Sequence, residues 1–249
     1  MSMYAYKDIF RKEKLLARDA RKQDKAIRFY CPNIQCDAHM HIRHKDGVSA
    51  AYFSAIPSHA HIKGCLHGSK NGFNPSNYNE EKFEFDNALS ALIMPSKPQN
   101  KKEKPGEHGS GTLTLKPPHT LQQIYFMCKS YDCADTYNGI TIGRMLLDNR
   151  SAYMYPKGVF GWRIIEGKCR RPHFYDAAKK KIFLTASTNG EEYTFILEFD
   201  DETLFKEIKN IVFPNRDYPI VVAGNWMSSG SFNMFCMSFL SDKQLKIVK

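Results

Sequence analysis

Apolar and polar positions along this chain follow two periods, and the change falls near residue 160. From there on the pattern is that of strands. GWRIIEGKCRR (161–171), KKIFLTAS (180–187) and EEYTFILEF (191–199) are short, rich in β-branched and aromatic residues, and bounded by turn-forming residues, which predicts three strands. Within the second, Ile182, Leu184 and Ala186 alternate with Phe183, Thr185 and Ser187. The first set suits an interior and leaves Phe183 facing out. Tyr193, Phe195, Leu197 and Phe199 share one face of the third strand and read as interior. Asn189-Gly190 is a two-residue hairpin signal between the two. Asp200-Asp201-Glu202 opens a helix, ETLFKEIKNIVF, with acids where the helix dipole favours them, and Pro214 ends it. YPIVVAGNW (218–226) is a fourth strand, and FNMFCMSFLSDKQLKIV closes the chain.

Before residue 160 the pattern is looser. Residues 5–28 carry apolar Tyr6, Ile9, Phe10, Leu15, Leu16 and Ala20 among nine Lys/Arg and four acids, and are expected to form a basic helix. Residues 29–67 are short β-like pieces around Cys and His, with Asp46-Gly47 as a hairpin turn. EEKFEFDNALSALI (80–93) reads as a short helix. Residues 95–118, rich in Pro, Gly and Lys, have almost nothing to bury and read as a flexible basic linker. Thr120 is placed to cap a helix running to about Tyr131, and ITIGRMLLDNR continues as a helix or a helix–strand piece. The expected division is a basic helix with a Cys/His module (1–94), the linker (95–118), a helical connecting segment (119–159) and a β-barrel domain (160–249). The class is α+β.

Three strands, a helix and two strands is an order that resembles the OB-fold, a five-stranded barrel. The resemblance covers the last 90 or so residues and includes VVAGNW followed by a closing segment ending in KQLKIV. It implies a ligand face on the second and third strands, where single-stranded nucleic acid is held by cations and stacked rings. The residues that fit those roles are Arg163, Lys168, Arg170, Arg171, Phe174, Lys180, Lys181, Phe183 and Trp226.

Cys31-X4-Cys36 and His61-X3-Cys65 form two ligand pairs with 24 residues between Cys36 and His61. Zn²⁺ takes four N/S ligands in a tetrahedron, and two short knuckles joined by a hairpin supply that geometry. The segment has little apolar mass, so a structural zinc would supply folding energy. His59 and His67 are alternatives to His61 as the fourth ligand. The run FYCPNIQC…YFSA…HIKGC resembles the zinc-finger-like N-terminal part of CoiA-like competence proteins, with a wider Cys spacing here. That resemblance implies a zinc-stabilised module in a DNA-handling protein. Cys128, Cys133, Cys169 and Cys236 read as buried thiols or strand residues.

The net charge of +10, from 36 Lys/Arg and 26 Asp/Glu, favours a polyanionic partner. No apolar run reaches the length of a membrane span, and the start lacks a secretory apolar core, so a cytoplasmic protein is expected and a membrane partner is not. Seven Cys without an export signal fit metal binding better than disulfides. There is no phosphate-binding glycine loop and no nucleophile elbow. Residues 29–67 hold no Glu, which a zinc hydrolase would use as base. The leading expectation is a non-catalytic binder of single-stranded nucleic acid, DNA before RNA. The others are an adaptor that docks a protein partner in a nucleic-acid-processing complex, and a zinc-assisted nuclease.

Overall fold

The computed structural model describes residues 1–43, 50–68, 73–94, 115–188 and 191–248. The Asp46-Gly47 and Asn189-Gly190 turns and most of the expected linker lie outside them.

The N-terminal part is a five-stranded antiparallel sheet in the order β2-β1-β3-β4-β5, from β1 (Tyr4–Tyr6), β2 (Lys14–Leu16), β3 (Phe29–Tyr30), β4 (His39–Arg43) and β5 (Tyr52–Ala55). The helix expected over 5–28 is not formed. β1 and β2 make a hairpin, and two short 3₁₀ turns follow. Asp8 is the local cause. Its carboxylate accepts from the backbone N–H of Lys12 and Glu13 at 2.9 and 2.7 Å, offering the chain a turn in place of a helix. Ile9 and Phe10, counted toward a helical stripe, stand exposed at the tip. Ala5, Phe29, Met40, Ile42 and Phe53 point into a core, with Phe29 and Phe53 rings 4.8 Å apart, and on the other side of β1 Tyr4 is buried against His67.

The connecting region contains α1 (Phe85–Ile93), α2 (Leu121–Ser130), β6 (Thr136–Tyr137), β7 (Ile140–Thr141), α3 (Ile142–Met145) and β8 (Leu146–Leu147). Thr120 caps α2 as its sequence predicts, in a reciprocal box with Gln123. Leu89, Leu92, Leu121, Ile124, Met127 and Met145 enter the same core as the N-terminal sheet.

The C-terminal part is a closed five-stranded β-barrel. Its strands are β9 (Gly161–Cys169), β11 (Lys181–Thr188), β12 (Glu191–Glu198), β13 (Ile220–Ser228) and β14 (Met234–Ser238). β10 (Tyr175–Asp176) flanks β11, and β15 (Leu245–Ile247) flanks β13. Around the barrel the order is β9-β11-β12-β14-β13 and back to β9, with β12 and β14 parallel and the other pairs antiparallel. The connectivity is consistent with the OB-like order. Gly167 makes the β9–β11 seam possible: a Cβ there would sit 2.9 Å from the Thr185 carbonyl oxygen. Ile182, Leu184 and Ala186 point inward, as do Tyr193, Phe195, Leu197 and Phe199, matching the alternation of the sequence. α4 (Glu202–Val212), capped by Asp201 through Thr203 and Leu204 N–H, contributes Phe205, Ile208 and Val212 to the same core.

The barrel has one covered wall. Ile164, Val221 and Ala223 face the N-terminal core, while Ile165, Ile220 and Val222 face the barrel interior. Burial on both faces is why IVVA in β13 is a continuous apolar run rather than an alternation.

Candidate functional sites

Cys31 follows β3 directly, and Cys36 lies five residues on, in a tight turn closed by the Cys36 N–H to Asn33 carbonyl bond of 2.9 Å. His61 and Cys65 sit in the loop after β5, where a turn at Gly64, with φ +82°, brings the Cys65 N–H to the Ile62 carbonyl. The four ligand atoms lie within 4.8 Å of one another. Cys31 Sγ is 3.7 Å from Cys65 Sγ, and His61 Nδ1 is 3.5 Å from the Sγ of Cys36 and of Cys65. The three cysteines are buried, and all seven in the chain are free thiols. These residues could hold a metal ion, and they are the only such group among the described residues. The Cys31–Cys65 hydrogen bond lowers the pKa of Cys65, with the His61 contact adding to this, and raises that of Cys31. A deprotonated sulfur is the form that binds metal.

His61, not His59 or His67, completes the cluster. His59 stacks on His39 at 4.1 Å, and His67 is buried edge-on to Tyr4. Arg11 locks the first knuckle from outside. Its guanidinium donates to the carbonyls of Cys31, Asn33 and Cys36 at 3.1–3.3 Å, and to that of Ile9 at 2.6 Å.

The cationic and aromatic residues expected on the barrel divide into two groups. Arg170 and Phe183 come together: the guanidinium lies 3.9 Å from the ring centroid on the outward side of β11. Arg170 N–H also bonds the Phe183 carbonyl, and its Nε donates to His173 O at 3.1 Å. Lys168 is exposed on the neighbouring strand, opposite Thr185. Lys181 shares the outward side of Phe183 and pairs with Glu198 at 2.6 Å. Lys180, at the turn into β11, donates to the Asp200 carbonyl at 2.5 Å. Arg171 is exposed and paired with Asp217.

Three expected residues do not join that group. Phe174 and Trp226 are buried in the barrel core, 7% and 2% exposed, so neither ring is free to stack on a ligand. Trp226 packs edge-on against Phe195 at 5.0 Å and donates its indole N–H to the Arg163 carbonyl. A large ring at a strand end is worth more inside than out. Arg163 itself is half-buried, and its guanidinium donates back to the Trp162 carbonyl at 2.5 Å.

A buried charge network lay outside the sequence reading. Lys129 on α2, only 5% exposed, is 2.7 Å from both Asp148 and Glu166. Arg150 Nε reaches Asp148 at 2.8 Å, and Tyr125 donates to Glu166 at 2.7 Å. Burial disfavours the Asp148 carboxylate, but Lys129 and Arg150 outweigh it and bring its pKa to about 2. The network borders a cavity of about 490 Å³ with Lys168, Thr185 and Glu192 on its wall. Within LLDNR only Arg150 is a local partner of the acid; the Lys129 and Glu166 that complete the network come from α2 and β9.

No protein-family model, curated protein or solved structure matches the chain. Among the described residues no helix is long and apolar enough to cross a membrane.

Proposed function

We propose that the chain is a non-catalytic nucleic-acid-binding protein whose barrel is an OB-fold that takes a single strand, DNA before RNA, on the open wall around β11. The observation that carries this is the Arg170–Phe183 stack, outward-facing, with Lys181 on the same face of β11 and Lys168 exposed on the neighbouring strand. Planar guanidinium and ring surfaces stack bases of any sequence, and the lysines track phosphates. The outer side of the β9–β13 wall is packed against the N-terminal core, so the proposed ligand face is the adjoining one on β11.

The N-terminal cluster is read as a structural zinc site. A tetrahedral zinc with bonds of about 2.3 Å to sulfur and about 2.0 Å to nitrogen needs S···S of roughly 3.8 Å and S···N of roughly 3.5 Å. The separations of 3.7, 3.5 and 3.5 Å fit. Bound there, zinc would be held by Cys31, Cys36, His61 and Cys65 and would tie β3 to the loop after β5. Four protein ligands leave no position for a catalytic water, so this reading is preferred to a nuclease.

The test is fluorescence anisotropy with labelled single-stranded DNA, single-stranded RNA and duplex DNA at two salt concentrations. Binding to single strands that weakens steeply with salt is expected from counterion release. Affinity independent of salt, or confined to duplex, would sink the reading. A second reading, a docking adaptor, draws on Phe10 and Ile34, 78% and 76% exposed on the two loops that Arg11 joins. It predicts a protein partner lost on Phe10→Ser and no affinity for oligonucleotides.

A further inference from the structure

The N-terminal sheet has a second face that neither the metal cluster nor the barrel uses. Register puts Tyr30, His39, His41, Arg43, Tyr52 and Ser54 on the side opposite the core, with the Tyr52 ring, at the start of β5, packing back against it. Among the described residues this face is less buried than the core side: Tyr30, His39 and His41 are half-buried, and Arg43 is exposed. None of these six residues is acidic. The rings form a row, Tyr30 edge-on to His39 at 5.6 Å and His39 stacked on the exposed His59 at 4.1 Å with planes 14° apart. Arg28 is close enough to His39 to act on its charge, as is the acid Asp37.

The histidines are oriented in a way that core packing does not require. Nδ1 of His39 and of His41 is buried and has no hydrogen-bond partner. A buried ring nitrogen without a partner is least costly as a bare lone pair, which places the proton on Nε2. Burial, with His59 and Arg28 for His39 and with Arg43 for His41, lowers the basicity of both rings. At neutral pH the face therefore offers neutral π-surfaces and Nε2–H donors, bordered by two arginines. Unpaired bases match flat faces and single donors; a phosphate-only or membrane ligand would call for a denser charge.

We propose that this face, centred on Tyr30, His39 and His59 and bordered by Arg28 and Arg43, is a second binding surface for single-stranded nucleic acid. The surface stands apart from the barrel: it would bind even if the open wall of the barrel did not.

The experiment uses the full metal-loaded chain and fluorescein-labelled single strands of about twenty nucleotides, long enough for several stacked bases. His39→Ala/Arg43→Ala is compared with Arg170→Ala/Phe183→Ala, with metal content and circular dichroism checked in both. The first variant is expected to lose about fivefold in affinity and to keep binding through the barrel. Photocrosslinking of the unaltered chain to 5-bromouracil-substituted strands supplies a readout independent of folding, and crosslinks are expected within 28–43 or 52–59. Wild-type affinity in the first variant, with crosslinks confined to barrel peptides, would overturn the proposal and leave the barrel reading standing. Crosslinks confined to the N-terminal sheet would support it at the barrel's expense. No binding by the unaltered chain would remove both.

Discussion

The N-terminal sheet and the barrel each pack β-strands around an apolar core, and they do it with different material. The barrel closes on itself and fills its interior with rings. Phe195, Trp226, Phe235 and Tyr193 lie 5.0–6.5 Å apart by centroid, and α4 adds Phe205 beside Phe199. The N-terminal sheet is open, its strands run from two to five residues, and its outer face is polar. What holds its loops is a cluster of thiols and an imidazole, and its inner face depends on α1 and α2 for a cover. A short sheet that cannot close must borrow stability from ligands and from its neighbours, and a closed barrel need not.

That contrast can be broken in four ways. On the proposed zinc reading, the largest effect is removal of that metal. A structural zinc site carries roughly 10 kcal/mol of binding free energy that is also folding free energy. Chelation should expose residues 29–65 to hydrogen exchange while β11 and β12 stay protected. Loss of protection in all of them together would show one cooperative unit. Next is Phe195→Ala, a ring fully buried in the barrel. It should cost about 3–5 kcal/mol in urea denaturation, with metal still retained at the N-terminal cluster.

The third test concerns the charges where the two parts meet. Asp148 has a folded-state pKa of about 2 against an ordinary 3.8. Because the folded value is depressed, its contribution is fully present above about pH 4 and is lost as pH falls toward 2. The difference is worth about 2 kcal/mol. Asp148→Asn should flatten that part of the stability–pH curve relative to the unaltered protein. An unchanged curve would mean that the network with Lys129 and Arg150 is not felt by the unfolding equilibrium. Smallest for stability is Arg170→Ala, about 1 kcal/mol for the lost cation–π contact with Phe183. Its effect should fall on binding: roughly a tenfold loss for a single strand and a salt slope reduced by about one.

Much of the barrel was legible beforehand. The alternation in β11 and β12 assigned inward and outward residues correctly, since side chains in a strand must alternate. The acids at the start of α4 and Thr120 at the start of α2 marked both helix ends, because capping is local chemistry. The Cys/His cluster was legible: type and spacing selected Cys31, Cys36, His61 and Cys65, with His59 and His67 as alternatives to His61, and the fold brings the first four together. Spacing cannot decide which of three nearby imidazoles a loop turns inward. The N-terminal helix was misread because charge and loose apolar spacing say little where an Asp8 side chain caps a competing turn.

What the sequence by itself determined are the properties set within a few residues: strand alternation, caps, turn residues and the paired Cys/His spacings. The tertiary structure decided what depends on partners far along the chain. It took Trp226 and Phe174 into the barrel core, because a large ring gains more from burial among Phe195, Phe213 and their neighbours than from exposure. It also brought Lys129, Asp148 and Glu166 together across α2, β8 and β9. And it set Tyr30, His39 and His59 in one row, since only strand register and the path of the loop after β5 determine which rings meet.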